Sequence, residues 1–155
     1  MRRSKPTRRE RSWREVETIV GPGLSQLPEF FRNGLYRLLR AQLPNSEIVR
    51  AYERCRIWVA KAKDGFGECE CGCGTRLLVG AVNGQSISVW NLDHDKNTQT
   101  FRGILYARCN TEIGSGDRKR KWAHVDYVES HEVRLRIDTS EFVCRDEFQA
   151  VGATE

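Results

Sequence analysis

Residues 91–114, "NLDHDKNTQTFRGILYARCNTEIG", set two carboxylates around a histidine and follow them, after a polar turn, with a Cys-Asn pair. Just upstream, "GECECGCG" places Cys69, Cys71 and Cys73 within five residues. Zinc takes about four soft or borderline ligands in a tetrahedron, and C-x2-4-C spacing is usual for a pair on one turn. Cys69 and Cys73 meet that spacing, Cys109 arrives two predicted strands later, and glycines at 72 and 74 allow the backbone to wrap an ion. Cys71 is the expected fourth ligand, with His124 as a substitute, because Tyr106 stands where another cysteine would complete the second pair. The competing readings are free loop thiols or a redox or metal-storage group. Three cysteines so close together are hard to place in a core, which favours metal.

The Asp-His-Asp segment ends the apolar run "SVWNL", the profile of a strand leaving a core. Asp93 and Asn110 offer oxygen donors of the kind Mg²⁺ prefers, and His94 has the intrinsic pKa of a base at neutral pH. A DHD tripeptide by itself equally describes a surface turn with a hydrogen-bonded histidine. Neighbours on a strand alternate faces, so Asp93 and His94 converge only if the reacting centre lies at the strand end.

The elements that must position these groups are predicted as follows. Residues 1–20 read as a basic, flexible arm carrying Arg2, Arg3, Lys5, Arg8, Arg9, Arg11 and Arg14. Residues 24–64 read as helical: Phe30, Phe31, Leu35, Leu38 and Leu39 recur at helical spacing despite Gly34, and Pro44 ends that helix. Asn45 or Ser46 then caps a second helix with an apolar stripe of Ile48, Tyr52, Cys55 and Val59. Short β-prone runs follow, "RLLVGAV", "SISVWNL" and "FRGILY", and then a short helix "ARCNTEIG" stopped by Gly114. Residues 118–155 read as a helix/strand extension, with "WAHVDYVES" helical and "EVRLRID" a half-buried strand, before a loose tail.

The 155 residues carry 39% apolar and 30% charged side chains and a net charge of +5. That is a globular composition whose charge favours a polyanionic partner. No run approaches a membrane span, and the basic start lacks the apolar segment of a secretory signal. The expectation is a cytoplasmic protein, in the bacterial host's cytoplasm if the chain is phage-encoded, with its six cysteines read as ligands or thiols before disulfides.

Residues 67–117 resemble the recombination endonuclease VII family, within the His-Me finger (ββα-metal, HNH-like) nucleases. The family pattern D-H-D-H-x-T-G-x-V-R-G-L-L-C-x-x-C-N-x-x-L-G meets "DHDKNTQTFRGILYARCNTEIG" without a gap. Asp93, His94, Asp95, Thr98, Arg102, Gly103, Leu105, Cys109, Asn110 and Gly114 fall on pattern positions. The resemblance implies an α+β fold with a zinc-stapled His-Me finger core, N-terminal helices and a short C-terminal extension. It implies a DNA endonuclease in which His94 activates water, Asp93 and Asn110 hold a catalytic Mg²⁺, and Cys69, Cys71, Cys73 and Cys109 hold a structural Zn²⁺. The implied products are a 5′-phosphate and a 3′-hydroxyl.

Arg102 is expected on a phosphate, and Asp95 as a buttress of the loop. Lys96 stands where the family often has a second histidine and adds positive charge near DNA. Gln99 replaces a turn glycine, so the loop is expected to bend differently. Arg118, Lys119, Arg120 and Lys121 would hold the duplex, with salt-sensitive affinity. Double-stranded or branched DNA is the expected partner and a homodimer an open alternative. The rival reading is a zinc-stabilised module that binds nucleic acid without chemistry.

Overall fold

A computed structural model describes residues 7–62, 64–114, 124 and 127–131. The strand expected over 132–138 and the basic block Arg118, Lys119, Arg120 and Lys121 lie outside the described residues. The chain is of mixed α+β class: helices α1 (Arg8–Val20), α2 (Glu29–Arg40) and α3 (Asn45–Lys61) come first, with a 3-10 turn at Pro22–Gln26. Strands β1 (Phe66–Glu68), β2 (Arg76–Leu78), β3 (Trp90–Asp95) and β4 (Thr100–Tyr106) follow, then α4 (Ala107–Gly114). The strands form two separate antiparallel pairs, β1 with β2 and β3 with β4. Residues 127–131 are again helical. Among the described residues no helix is long and apolar enough to cross a membrane.

The expected flexible arm is corrected over residues 8–20. Thr7 and Glu10 form a reciprocal capping box: the Thr7 hydroxyl accepts from the Glu10 N–H, and the Glu10 carboxylate accepts from the Thr7 N–H at 2.7 Å. Val16 is fully buried, and the Trp13 indole donates to Asn33 Oδ1 at 3.0 Å. The Arg32 guanidinium lies over the Trp13 ring. Apolar residues at 13, 16, 19 and 20 thus give this arginine-rich segment a buried face, and a helix with such a face docks.

Helix α2 buries Phe31, Leu35 and Leu38, and its helix-weakening Gly34 has a packing reason. A Cβ there would stand 3.0 Å from Leu92 Cδ1 and Cγ, so glycine lets β3 close on the helix. The helix ends at Arg40 and the chain turns at Gln42 (φ 65°), before Pro44 is reached. Helix α3 begins directly after Pro44, without the side-chain cap expected from Asn45 or Ser46. It buries Ile48, Ala51, Tyr52, Cys55 and Trp58.

Trp58 joins the halves of the molecule. Its ring meets Phe31 edge-on at 5.3 Å and Trp90 at 4.8 Å, so α2, α3 and β3 share one aromatic row. The Trp58 indole donates to Glu68 O and the Trp90 indole to Leu78 O, which seats the β1–β2 hairpin on the same row. A Cβ at Gly67 would come within 2.1 Å of the Trp58 ring. Gly67→Ala is therefore expected to displace Trp58 and lower stability by about 2 kcal/mol or more in thermal unfolding. Gly80→Ala, with open space around it, serves as the near-neutral control.

Candidate active site and cysteine cluster

Six residues of β3 pair with β4, and the register slips between Asp93 and His94: Asp93 faces Gly103 whereas His94 faces Phe101. Arg102 is the extra residue of this bulge. A bulge breaks the simple alternation of faces and re-aims nearby side chains. Here it brings the Arg102 guanidinium onto Asp93, with Nε 2.8 Å from Oδ2 and Nη2 donating to Oδ1 at 3.1 Å.

The outer edge of β4 is satisfied by side chains rather than by a strand. The Phe101 N–H donates to Glu47 Oε2 at 2.9 Å, and Arg50 donates to the Phe101 carbonyl at 2.8 Å. Three residues farther along, the Ile104 N–H donates to Glu70 Oε1 at 2.8 Å, and the Glu70 N–H returns a bond to the Ile104 carbonyl. Glu70 also pairs with Arg54 at 2.8 Å. Helix α3 and the cysteine loop are thereby bolted to the strand that carries Arg102.

The turn between β3 and β4 is closed by Asp95, whose Oδ1 accepts from the N–H of Asn97 and of Thr98. Burial works to raise this carboxyl, but those two backbone donors prevail and hold it below its ordinary value. The expectation that Gln99 would change the bend is corrected. Gln99 adopts the left-handed conformation (φ 57°) that glycine would supply. With its amide nitrogen oriented by the hydrogen-bond network, it donates to the carbonyls of Ala41 and Gln42 at 3.0 and 2.8 Å. Two bonds to the end of α2 thus offset the strain.

Asp93, His94 and Asn110 line a single open cleft of about 600 Å³, together with Lys96 and Arg102. Asp93 is 5% exposed. Besides its pair with Arg102, it accepts a hydrogen bond from the Tyr127 hydroxyl at 3.0 Å. Burial pushes the Asp93 carboxyl upward, while Arg102 and Tyr127 pull it back. Gly103 makes the Tyr127 contact sterically feasible, since a Cβ there would stand 2.9 Å from the Tyr127 oxygen. Burial also lowers the His94 pKa, with Lys96 and Arg102 acting in the same direction and Asp93 opposing. The imidazole is thus mainly neutral, and able to accept a proton, at neutral pH.

For a hard cation, the donor types at this cleft fit. A carboxylate offers about four lone-pair sites; the three contacts to Asp93 leave one for a metal, and Asn110 adds a neutral oxygen. The fit has a cost, because the cation must share Asp93 with the Arg102 guanidinium. Arg102, expected on a phosphate, is turned inward here on Asp93 and on the His94 carbonyl, at 3.3 Å from the latter. Lys96 is exposed at the rim.

The Sγ atoms of Cys69, Cys71, Cys73 and Cys109 all lie within 4.8 Å of one another. Cys69 and Cys71 approach to 3.3 Å, and Cys73 and Cys109 to 3.6 Å. A tetrahedral zinc with sulfurs about 2.3 Å away would set its ligands about 3.8 Å apart, so the four cysteines can hold a zinc ion. Gly72 and Gly74 take φ +84° and +80°, which wraps the loop around the sulfurs.

Backbone N–H groups of Tyr106 and Thr75 point at Cys69 and Cys73, at 3.3 and 3.4 Å, as suits sulfur carrying negative charge. Burial pushes the Cys109 thiol up to about 12 and raises Cys71 as well. For Cys73, burial is outweighed by hydrogen bonding with the side chain and backbone of Thr75, and the pKa falls to about 7. Tyr106, the residue in place of a cysteine, contributes its backbone instead, and Cys71 completes the set. His124 lies elsewhere, fully buried with Nδ1 3.6 Å from Glu112. Cys55 is also apart, buried in α3 with its thiol pushed upward by desolvation.

Reading the sequence missed Glu70, Glu47, Arg50 and Tyr127. A glutamate between two cysteines carried a signal only in hindsight, and no spacing rule links Tyr127 to Asp93. Comparison with protein-family models, with curated proteins and with solved structures found no match to this chain.

Purified protein is expected to contain about one zinc per chain. Cys71→Ser should lose that zinc and its thermal stability together, and full zinc content in the variant would remove Cys71 from the ligand set. Glu70→Ala, which strips the buried Ile104 N–H of its acceptor, should cost about 1–3 kcal/mol in denaturant unfolding.

Proposed function

We propose that the chain is a metal-dependent DNA endonuclease of the His-Me finger type. The observation that supports this reading most directly is the convergence of His94, Asp93 and Asn110 on one polar cleft. They come from the end of β3 and from α4, so a shared cleft does not follow from nearness in sequence. The cleft is open to solvent, as a site for a polymeric substrate must be. The neutral state favoured for His94 suits a general base.

In the proposed reaction His94 takes a proton from a water whose oxygen forms a bond to phosphorus. The bond from phosphorus to the 3′ oxygen breaks, and that oxygen leaves, taking a proton from solvent. The products are a 5′-phosphate and a 3′-hydroxyl. Asp93 and Asn110 would hold a divalent ion, taken as Mg²⁺, which when bound supplies charge neutralisation at the phosphate and the departing oxygen. Lys96 adds positive charge at the rim, and a duplex or branched DNA is the proposed partner. The cysteine cluster has no part in the chemistry; with zinc bound it would keep α4, and hence Asn110, against the hairpin.

One observation favours the second reading, a nucleic-acid-binding module without catalysis. Asp93 is engaged by Arg102 and Tyr127 as a purely structural carboxylate would be. The two readings part in a nicking assay on supercoiled plasmid with Mg²⁺. The nuclease reading expects nicking by the natural chain and a fall of about 10²–10⁴ in rate for His94→Ala. Equal nicking by both proteins would remove His94 as the base. No nicking of any DNA form, by folded zinc-loaded protein, would favour the binding module.

A further inference from the structure

The pairing of Arg102 with Asp93 is more than a neutralised acid. The guanidinium pairs with the carboxylate through Nε, 2.8 Å from Oδ2, while Nη2 donates both to Asp93 Oδ1 and to the His94 carbonyl. Both side chains are shielded, 12% exposed for Arg102 and 6% for Asp93. A divalent cation approaching Asp93 meets a positive group already seated there, and like charges at that range oppose each other strongly in a desolvated site. Arg102 also lies in a wall between two spaces. One is the cleft with His94 and Asn110; the other is a groove of about 180 Å³ against α3, lined by Arg50, Arg54 and Ile57. Its side chain therefore has room to change partners without repacking the core. Tyr127 holds Oδ2 independently, so Asp93 keeps its orientation when the guanidinium turns away.

We infer that Arg102 is a positioning residue that occupies the cation seat on Asp93 until a nucleic-acid phosphate draws it off, so that ion and phosphodiester enter the cleft together. The inference rests on the nuclease reading of the cleft. A phosphate is the anion that best rewards a displaced guanidinium, because it can accept a fork of two of its donors. Binding coupling of this kind is reciprocal: whatever the phosphate contributes to ion affinity, the ion contributes to phosphate affinity. The arrangement would leave the cleft without its cation while no strand is bound.

Two measurements test it, neither of which reads cleavage. Zinc-loaded protein without nucleic acid is titrated with Mn²⁺ and followed by electron paramagnetic resonance. Arg102→Gln is expected to bind Mn²⁺ about tenfold tighter than the natural chain, and Asp93→Asn combined with Arg102→Gln to lose that site. Unchanged or weaker binding by Arg102→Gln, with its fold verified by circular dichroism, overturns the inference.

The second measurement does not depend on Arg102→Gln folding. Affinity for a short labelled DNA duplex is read by fluorescence anisotropy without divalent ion. Asp93→Asn, which frees Arg102, is expected to tighten binding about tenfold. Asp95→Asn removes equal charge from the same cleft but frees no guanidinium, and should tighten it far less. Equal gains from both variants overturn the inference. Nicking that depends on His94 alongside either negative result would leave the nuclease reading standing and the role of Arg102 refuted.

Discussion

A strand edge whose amides face neither water nor another strand must find partners among side chains, because a buried backbone group without one costs about 1–3 kcal/mol. Strand β4 meets this constraint along its outer edge, and the solution organises the molecule. Glu47 and Arg50 of α3 answer Phe101, and Glu70 of the cysteine loop answers Ile104. A third strand would have satisfied the same groups, but it would have left helix and loop without a fixed place. With acidic and basic side chains standing in, two pieces remote from β4 in sequence are indexed to that one strand, and charged partners make these bonds stronger than neutral ones. The edge is also closed to pairing with another chain.

On that foundation the cysteine cluster and the polar cleft divide the two ends of the hairpin. The cysteine cluster gathers the β1–β2 loop and α4 at the far end of β4, through Cys69, Cys71 and Cys73 on one side and Cys109 on the other. The polar cleft lies at the opposite end of the hairpin, where the bulge re-aims Arg102. Asn110 is adjacent in sequence to Cys109, so the placement of the sulfurs and of the cleft's oxygen donor are mechanically linked through a single turn of α4. Three close approaches set tolerances for this packing: Leu92 on Gly34, Trp58 on Gly67 and Tyr127 on Gly103. In each case an absent side chain allows a ring, a hydroxyl or a branched carbon to arrive.

The legible parts were those governed by local rules. Strands β2 to β4 and α4 followed in outline from residue preference and spacing, whereas β1 did not, and the cysteines followed from ligand spacing, with Cys71 as the fourth member of the cluster. Helix α1 was misread because arginines dominate its composition, while its apolar face, Trp13, Val16, Ile19 and Val20, is sparse and near the start of the chain. The capping box of Thr7 and Glu10 was the overlooked local signal. The inward turn of Arg102 was out of reach for a different reason: a one-residue slip in register is a property of two strands together. Tyr127 and Glu70 act across 34 residues each, on Asp93 and Ile104, and no periodicity encodes such a meeting.

The turn between β3 and β4 carries a further implication. Its left-handed residue, Gln99, is steadied by carbonyls at the end of α2 as well as by its own N–H, which donates to the Asp95 carbonyl at 2.9 Å. A glycine turn would be self-sufficient and could travel with its hairpin into an unrelated scaffold. This one is less portable: excised and transplanted, residues 90–114 would keep the Asp95 bonds but leave behind the two acceptors of the Gln99 side chain. Exchange of segments would therefore keep this loop best when α2 and the hairpin move as a single cassette, or when a glycine stands at 99.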